Sequence, residues 1–189
     1  MRLRIPPRMR FAAVFALAAS SVLAASPKVV DAVEPARAPR SYTIDQILAS
    51  PAITGASFSA DETKILFSSN RTGIYNVYSV SAAGGQPRAL TSSPTDSTYA
   101  VSYFPADDRF LFTRDQGGNE LNHLFVREKD GTDRDLTPGE KLKAVFKRWR
   151  RAGDAFYVET NERDPPFFDL YRYDAKTYER TRVFQDDTG

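Results

Sequence analysis

The side chains best placed for contact chemistry are Arg114, Glu120, Asn122, Glu162 and Arg163. They fall in or, for Arg114, just before the stretches 115–122 and 161–164, which with 70–73 occupy equivalent places along the chain. Loops equivalent in successive structural repeats gather at one end of the fold, where a ligand or a partner domain is met. The alternative is plain solvation of loop charges. The pair Asp107-Asp108 has the composition of an acid/base or metal site, yet its position favours turn chemistry. His123 is the sole histidine. A self-contained Ser-His-Asp triad would have to use it, and no partner motif accompanies it. It reads as structural or surface. There are no cysteines, so disulfides, thiolate chemistry and cysteine zinc sites are excluded. A multi-histidine metal site is excluded too, and no cofactor is expected. The nearest approach to a G-x-S-x-G nucleophile turn is Gly55-Ala56-Ser57-Phe58-Ser59, which lacks the final glycine. No catalytic residue is assigned.

Two further features are bland on inspection. Lys141, Lys143, Lys147, Arg148, Arg150 and Arg151 form the densest basic run. A nucleic-acid site would need stacking aromatics on the same face, and only Trp149 is near. The run reads as a solvated surface. Asn70-Arg71-Thr72 matches a glycosylation sequon, which matters only in a eukaryotic secretory host.

What positions these residues is a repeat. Phe58, Tyr103 and Trp149 open three copies at offsets of 45 (103 − 58) and 46 (149 − 103). Phe67, Phe112 and Val158 follow nine residues later, and Asn70, Asp115 and Asn161 close the copies. A period of roughly 40–50 residues is that of a four-stranded propeller blade. The first copy parses into strands at 53–59, 64–69, 75–81 and 87–91. The second gives 99–104, 109–114, 121–128 and 134–137, and the third 144–150, 155–160, 167–173 and 180–184. Pro165-Pro166 must lie outside the ladder of the third copy. The runs I-L-F, F-L-F and A-F-Y-V are apolar on consecutive residues, which implies burial on both faces, as between stacked blades. A sandwich or solenoid would not need the fixed period. The expected class is all-β: an incomplete β-propeller of about three four-stranded antiparallel blades, near 53–95, 99–140 and 144–189.

Ahead of the blades lies an address. Arg2, Arg4, Arg8 and Arg10 precede the apolar run 11–23, and Ala24-Ala25-Ser26 follows. That is the order of a secretory signal peptide, with cleavage expected after Ala24. The run is too short to span a bilayer, so no membrane span is expected after cleavage. The mature chain is expected to be periplasmic or secreted. Without the four arginines, 22 basic residues face 24 acidic ones, so the basic balance is local and nothing points to nucleic acid. Residues 25–41 read as a proline-rich linker. Thr43 with Gln46 fits a capping box, and Ile44, Ile47 and Leu48 share one face of a short helix over 43–49.

The stretch F-S-A-D-E-T-K-I-L-F at 58–67 resembles the F-S-P-D-G-x-x-Φ-Φ-F repeat of TolB-type propellers. The same repeat occurs in the N-terminal propeller of the prolyl oligopeptidase family of serine peptidases. The order of export signal, lead-in helix and blades is similar to the dipeptidyl-peptidase IV-like and acylaminoacyl-peptidase-like branches. The resemblance covers residues 42–189. The second copy reads Y-F-P-A-D-D-R-F-L-F with its Asp displaced, and the third, W-R-R-A-G-D-A-F-Y-V, keeps only Gly153. The resemblance implies a propeller that gates peptide access to a C-terminal α/β-hydrolase domain carrying the triad, none of which maps onto this sequence. The adjacent Glu pair that anchors a substrate amine in the dipeptidyl-peptidase branch has no counterpart here. The alternative is a TolB-like periplasmic interaction module without an enzyme.

Three blades do not close a ring, since propellers use 4–8. The chain is therefore expected to be the front of a longer protein, with assembly of several copies into a ring as the alternative. Its first and last blades are expected to present apolar faces with no polar cap.

Overall fold

The computed structural model describes residues 40–188. The signal peptide and nearly all of the linker expected from the sequence lie outside the described residues. The unit from Tyr42 onward contains one short helix and twelve strands.

Helix α1 (Ile44–Leu48) forms as its capping box dictates. Gln46 N donates to Thr43 Oγ1 at 3.2 Å, and Thr43 N donates to Gln46 Oε1 at 3.1 Å. The helix buries none of its residues. Among the described residues, no helix is long and apolar enough to cross a membrane.

The strands form three sheets, each a simple antiparallel meander. The first holds β1 (Ile53–Phe58), β2 (Lys64–Ser69), β3 (Asn76–Ser81) and β4 (Arg88–Ala89). The second holds β5 (Thr98–Phe104), β6 (Asp107–Arg114), β7 (His123–Arg127) and β8 (Asp133–Asp135). The third holds β9 (Ala144–Trp149), β10 (Ala155–Asp164), β11 (Phe167–Asp174) and β12 (Arg180–Phe184). The three-blade reading of the sequence is thus what the chain forms.

The repeat is structural in detail. Each blade's first strand carries a bulge at one equivalent residue: Gly55, Val101 and Lys147, each 46 after the last. A bulge sharpens local twist. Gly55 takes φ 65°, and a Cβ there would sit 3.0 Å from the Ala100 carbonyl oxygen, so the close approach of β1 to β5 requires a glycine. The turn after β9 also matches its first-blade counterpart despite its altered sequence. Arg150 N donates to Ala155 O and Gly153 N to Arg150 O, as Ser59 N does to Lys64 O and Glu62 N to Ser59 O. Glu62, at φ 58°, stands where Gly153 stands at φ 74°.

Packing follows the consecutive apolar runs. On β6, Phe110 and Phe112 face the first blade with Leu66, Val77 and Tyr103. Leu111 faces the third with Phe156, Val158, Tyr171 and Tyr173. Each junction is also an aromatic ladder. Phe112 stacks on Phe125 at 5.3 Å, and Phe156 stacks on Tyr173 at 5.2 Å. Trp149 is half-buried against Phe104 and Phe156, and its indole N–H donates to Ser102 Oγ at 2.9 Å.

Three expectations are corrected. Asp107 and Asp108 lie in β6 after a two-residue hairpin, because Phe104 pairs directly with Asp107. Residues 161–164 continue β10 as a strand, so the third blade's tip is Pro165-Pro166. The exposed side of the third blade is mixed and not wholly apolar: Val145, Val183 and Phe184 are exposed, but Lys147 pairs with Glu159 at 2.9 Å and Arg148 lies over the Tyr157 ring.

Candidate functional site

The connections β2–β3, β6–β7 and β10–β11 leave corresponding ends of the three meanders. Backbone bonds stitch that end together across blades. Thr98 N donates to Tyr75 O, and Ala144 N donates to Asn122 O, both at 2.8 Å. Within blades, the Asn landmarks explain themselves. Asn70 Oδ1 accepts from Ala52 N, and Asn161 Oδ1 accepts from Lys143 N, each at 2.7 Å and 18 residues apart. Each Asn ties the start of its blade's first strand to the end of the second. Asp115, the second-blade landmark, makes no such bond among the described residues.

A second set of equivalent residues fixes the same end from inside. Asn76 and His123 open the third strands of their blades, Asp169 is the third residue of β11, and the three, at spacings of 47 and 46, are all buried. Asn76 Oδ1 accepts from Ser93 N, and Asp169 Oδ1 accepts from Asp186 N, each 17 residues on. Both therefore hold the segment that leaves the blade. His123 Nδ1 lies 2.8 Å from Asp135 Oδ2, which makes it a structural residue. The sequence concealed this set because three different residue types fill one position. A related signal was legible and missed. R-A-L-T at 88–91 and R-D-L-T at 134–137 recur at 46, and both threonine hydroxyls accept from a third-strand N–H, Val77 and Leu124, at 2.8 Å.

The five contact residues separate on this frame. Arg163 donates to both carboxylate oxygens of Asp169, at 2.8 and 2.9 Å, and also to the Asp186 carbonyl. The hydrogen bonds from Arg163, aided by the Asp186 N–H and Arg182, hold the Asp169 pKa down at about 2. Glu162 is ion-paired with Arg180. Burial, then the neighbouring Glu162, pushes the Tyr171 hydroxyl up to about 12. Arg114 lies 4.3 Å over the Phe125 ring. Glu120 is exposed at the tip of 115–122 with φ 60°. Asn122 is half-buried, and its Oδ1, like Thr160 Oγ1, is buried without a hydrogen-bond partner among the described residues. Both residues flank Ala144, one through its backbone carbonyl and one as strand partner. A groove of about 360 Å³ opens beside them, walled by residues 138–142 and by Asn161, Glu162 and Pro165. The structure thus commits Glu162 and Arg163 to ion pairs within the third blade, and leaves Glu120 and Arg114 presented on the second.

No His, Asp and Glu cluster among the described residues is spaced to hold a metal ion. The arrangement can position and contact. Among the described residues, no serine or threonine hydroxyl is hydrogen-bonded to the sole histidine, whose Nδ1 meets Asp135.

Three four-stranded meanders, packed face to face at a 46-residue period, decide the fold. It is a β-propeller segment. TolB from Acinetobacter baumannii matches with a TM-score of 0.54 at 21% identity, over 70% of this chain and 32% of that one. A prolyl endopeptidase matches at 0.55 and 14% identity, over 71% of this chain and 22% of that one. In sequence, the chain is 30% identical over 148 residues to dipeptidyl aminopeptidase BIII of Pseudoxanthomonas mexicana. That alignment covers 76% of this chain and 21% of the relative's length. No family model matches the sequence. The resemblance to propellers of the prolyl oligopeptidase family is borne out by these relatives.

Proposed function

We propose that this chain is the N-terminal propeller portion of an exported serine peptidase of the prolyl oligopeptidase family. In that role it gates peptide access to an α/β-hydrolase domain lying outside this sequence. The observation that carries the reading is the 30% identity to a dipeptidyl aminopeptidase over 148 residues. Stacked blades form a rigid wall through which folded proteins do not pass, so only short or extended peptides reach a site behind it. Glu120 and Arg114, presented at the loop end, are the residues proposed to contact peptide or the hydrolase domain. Glu162, Arg163 and Asn122 shape the same end. Periplasmic or secreted localisation belongs to the proposal and rests on the arginine-rich start and apolar run of residues 1–24.

The reading frame beyond the Gly189 codon tests the first part. Further blades followed by G-x-S-x-G between a strand and a helix, with Asp and His after it, support the reading. A closed ring that stops without that motif overturns it. The second reading, a TolB-like periplasmic interaction module, is favoured by the fold likeness to TolB, and it gains what the first loses. Fusion of residues 1–26 to a reporter active only outside the cytoplasm tests export. An inactive fusion removes that part.

A further inference from the structure

One position in the repeat is filled at one blade junction and open at the other. Between the second and third blades it holds Tyr178, a buried ring meeting Phe104 edge-on at 6.3 Å. Two cations flank that ring. Arg109 lies 5.7 Å from its centroid and donates from Nη1 to Tyr178 Oη at 2.6 Å. Arg134 lies 5.0 Å from the centroid. Cations over an aromatic face are held by the ring's quadrupole.

One repeat earlier the cations are kept and the ring is missing. Lys64 stands 45 residues before Arg109, and Arg88 stands 46 before Arg134. The counterpart of Tyr178 is Gly131. Each is the positive-φ residue, 62° and 88°, in the turn between the third and fourth strands of its blade. Nothing lies within 4 Å of where a Gly131 Cβ would be. The counterpart of Phe104 is the small, buried Ser59. What remains between the first and second blades is a cleft of about 770 Å³, with Lys64 and Arg88 on one side, Gly131 at its margin, and Leu90, Tyr103 and Phe110 lining it. Arg88 makes no hydrogen bond or ion pair among the described residues. Lys64 pairs with Asp108 at 2.7 Å, with both side chains well exposed. A pair of that kind is weak and can yield its cation to a ligand.

We propose that this cleft is a binding site for a tyrosine side chain of an incoming peptide. The ring would lie between Arg88 and Lys64 as Tyr178 lies between Arg134 and Arg109, its hydroxyl accepting from the Lys64 ammonium. The volume exceeds one ring and leaves room for flanking peptide backbone. The site stands whether or not the chain serves a peptidase.

The test is a titration of the chain with the blocked tripeptide acetyl-Ala-Tyr-Ala-amide, followed through the backbone amide signals of Arg88 and Gly131. The tyrosine peptide should give saturable shifts at both. The phenylalanine version should bind more weakly and the leucine version should not bind. Arg88→Ala, at an exposed position on a two-residue strand, should weaken tyrosine binding about fivefold or more. Gly131→Tyr should plug the cleft from within and abolish binding. Absence of saturable shifts, equal binding of the leucine peptide, or indifference to Arg88→Ala overturns the proposal. Should Gly131→Tyr fail to fold, Arg88→Ala and the peptide comparison decide it alone.

Discussion

Arg163 grips Asp169 with two hydrogen bonds of 2.8 and 2.9 Å, and the Asp169 carboxylate is shut off from solvent. That pairing, with Arg182 and the Asp186 N–H, anchors the segment leaving the third blade. Its consequence is a pH dependence. A carboxylate whose folded pKa lies below its unfolded value of roughly 3.9 stabilises the fold fully above that value. The contribution is lost as pH falls through the folded value of about 2. Urea midpoints measured between pH 5 and 2 should therefore fall below about pH 4. Asp169→Asn should lower stability at neutral pH by about 2 kcal/mol and flatten the acid limb. An unchanged acid limb in that variant would assign the loss to other carboxylates, such as Asp61, whose pKa Ser59 and Thr63 also hold at about 2.

The Asn clamps make a contrast within one chain. Asn161→Ala frees Lys143 N at the start of β9 and should cost about 1 kcal/mol. Asp115→Ala, at the equivalent place without the bond, should cost less than half of that. Chemical denaturation of the two variants checks the pair, and equal losses would mean that the bond has no net worth.

Thr137 is fully buried, and its hydroxyl accepts from the Leu124 N–H. Thr137→Val keeps the volume and leaves that donor orphaned, at a cost of about 1–3 kcal/mol. Thr137→Ser restores the acceptor and should recover most of the loss. Serine and valine variants of equal stability would place the role of Thr137 in its methyl group.

The two blade junctions should weaken separately. Phe156→Ala opens a cavity between the second and third blades and should cost about 3–5 kcal/mol. Its amide exchange should accelerate first in β9–β12. Phe112→Ala, on the other face of the second blade, should act first in β1–β4. Uniform acceleration across all three sheets in both variants would show that the blades unfold as one unit.

The repeat, its period, the strand count and the burial of consecutive apolar residues on both faces were present in the sequence alone. They depend on local alternation, turn residues and a fixed spacing, each carried by a few neighbouring positions. The helix was legible for the same reason, since Thr43 and Gln46 meet across a single turn. The tertiary structure decided what depends on partners far apart in the chain. Asn76, His123 and Asp169 are one position filled by an amide, an imidazole and a carboxylate, so residue type hid what burial revealed. Glu162 and Arg163 looked like free contact groups until β10 ran on to Asp164 and brought Arg180 and Asp169 against them. The open cleft between the first two blades could not be read at all. It exists because Gly131 and Ser59 are small where Tyr178 and Phe104 are large, and that difference means nothing until the blades are packed side by side.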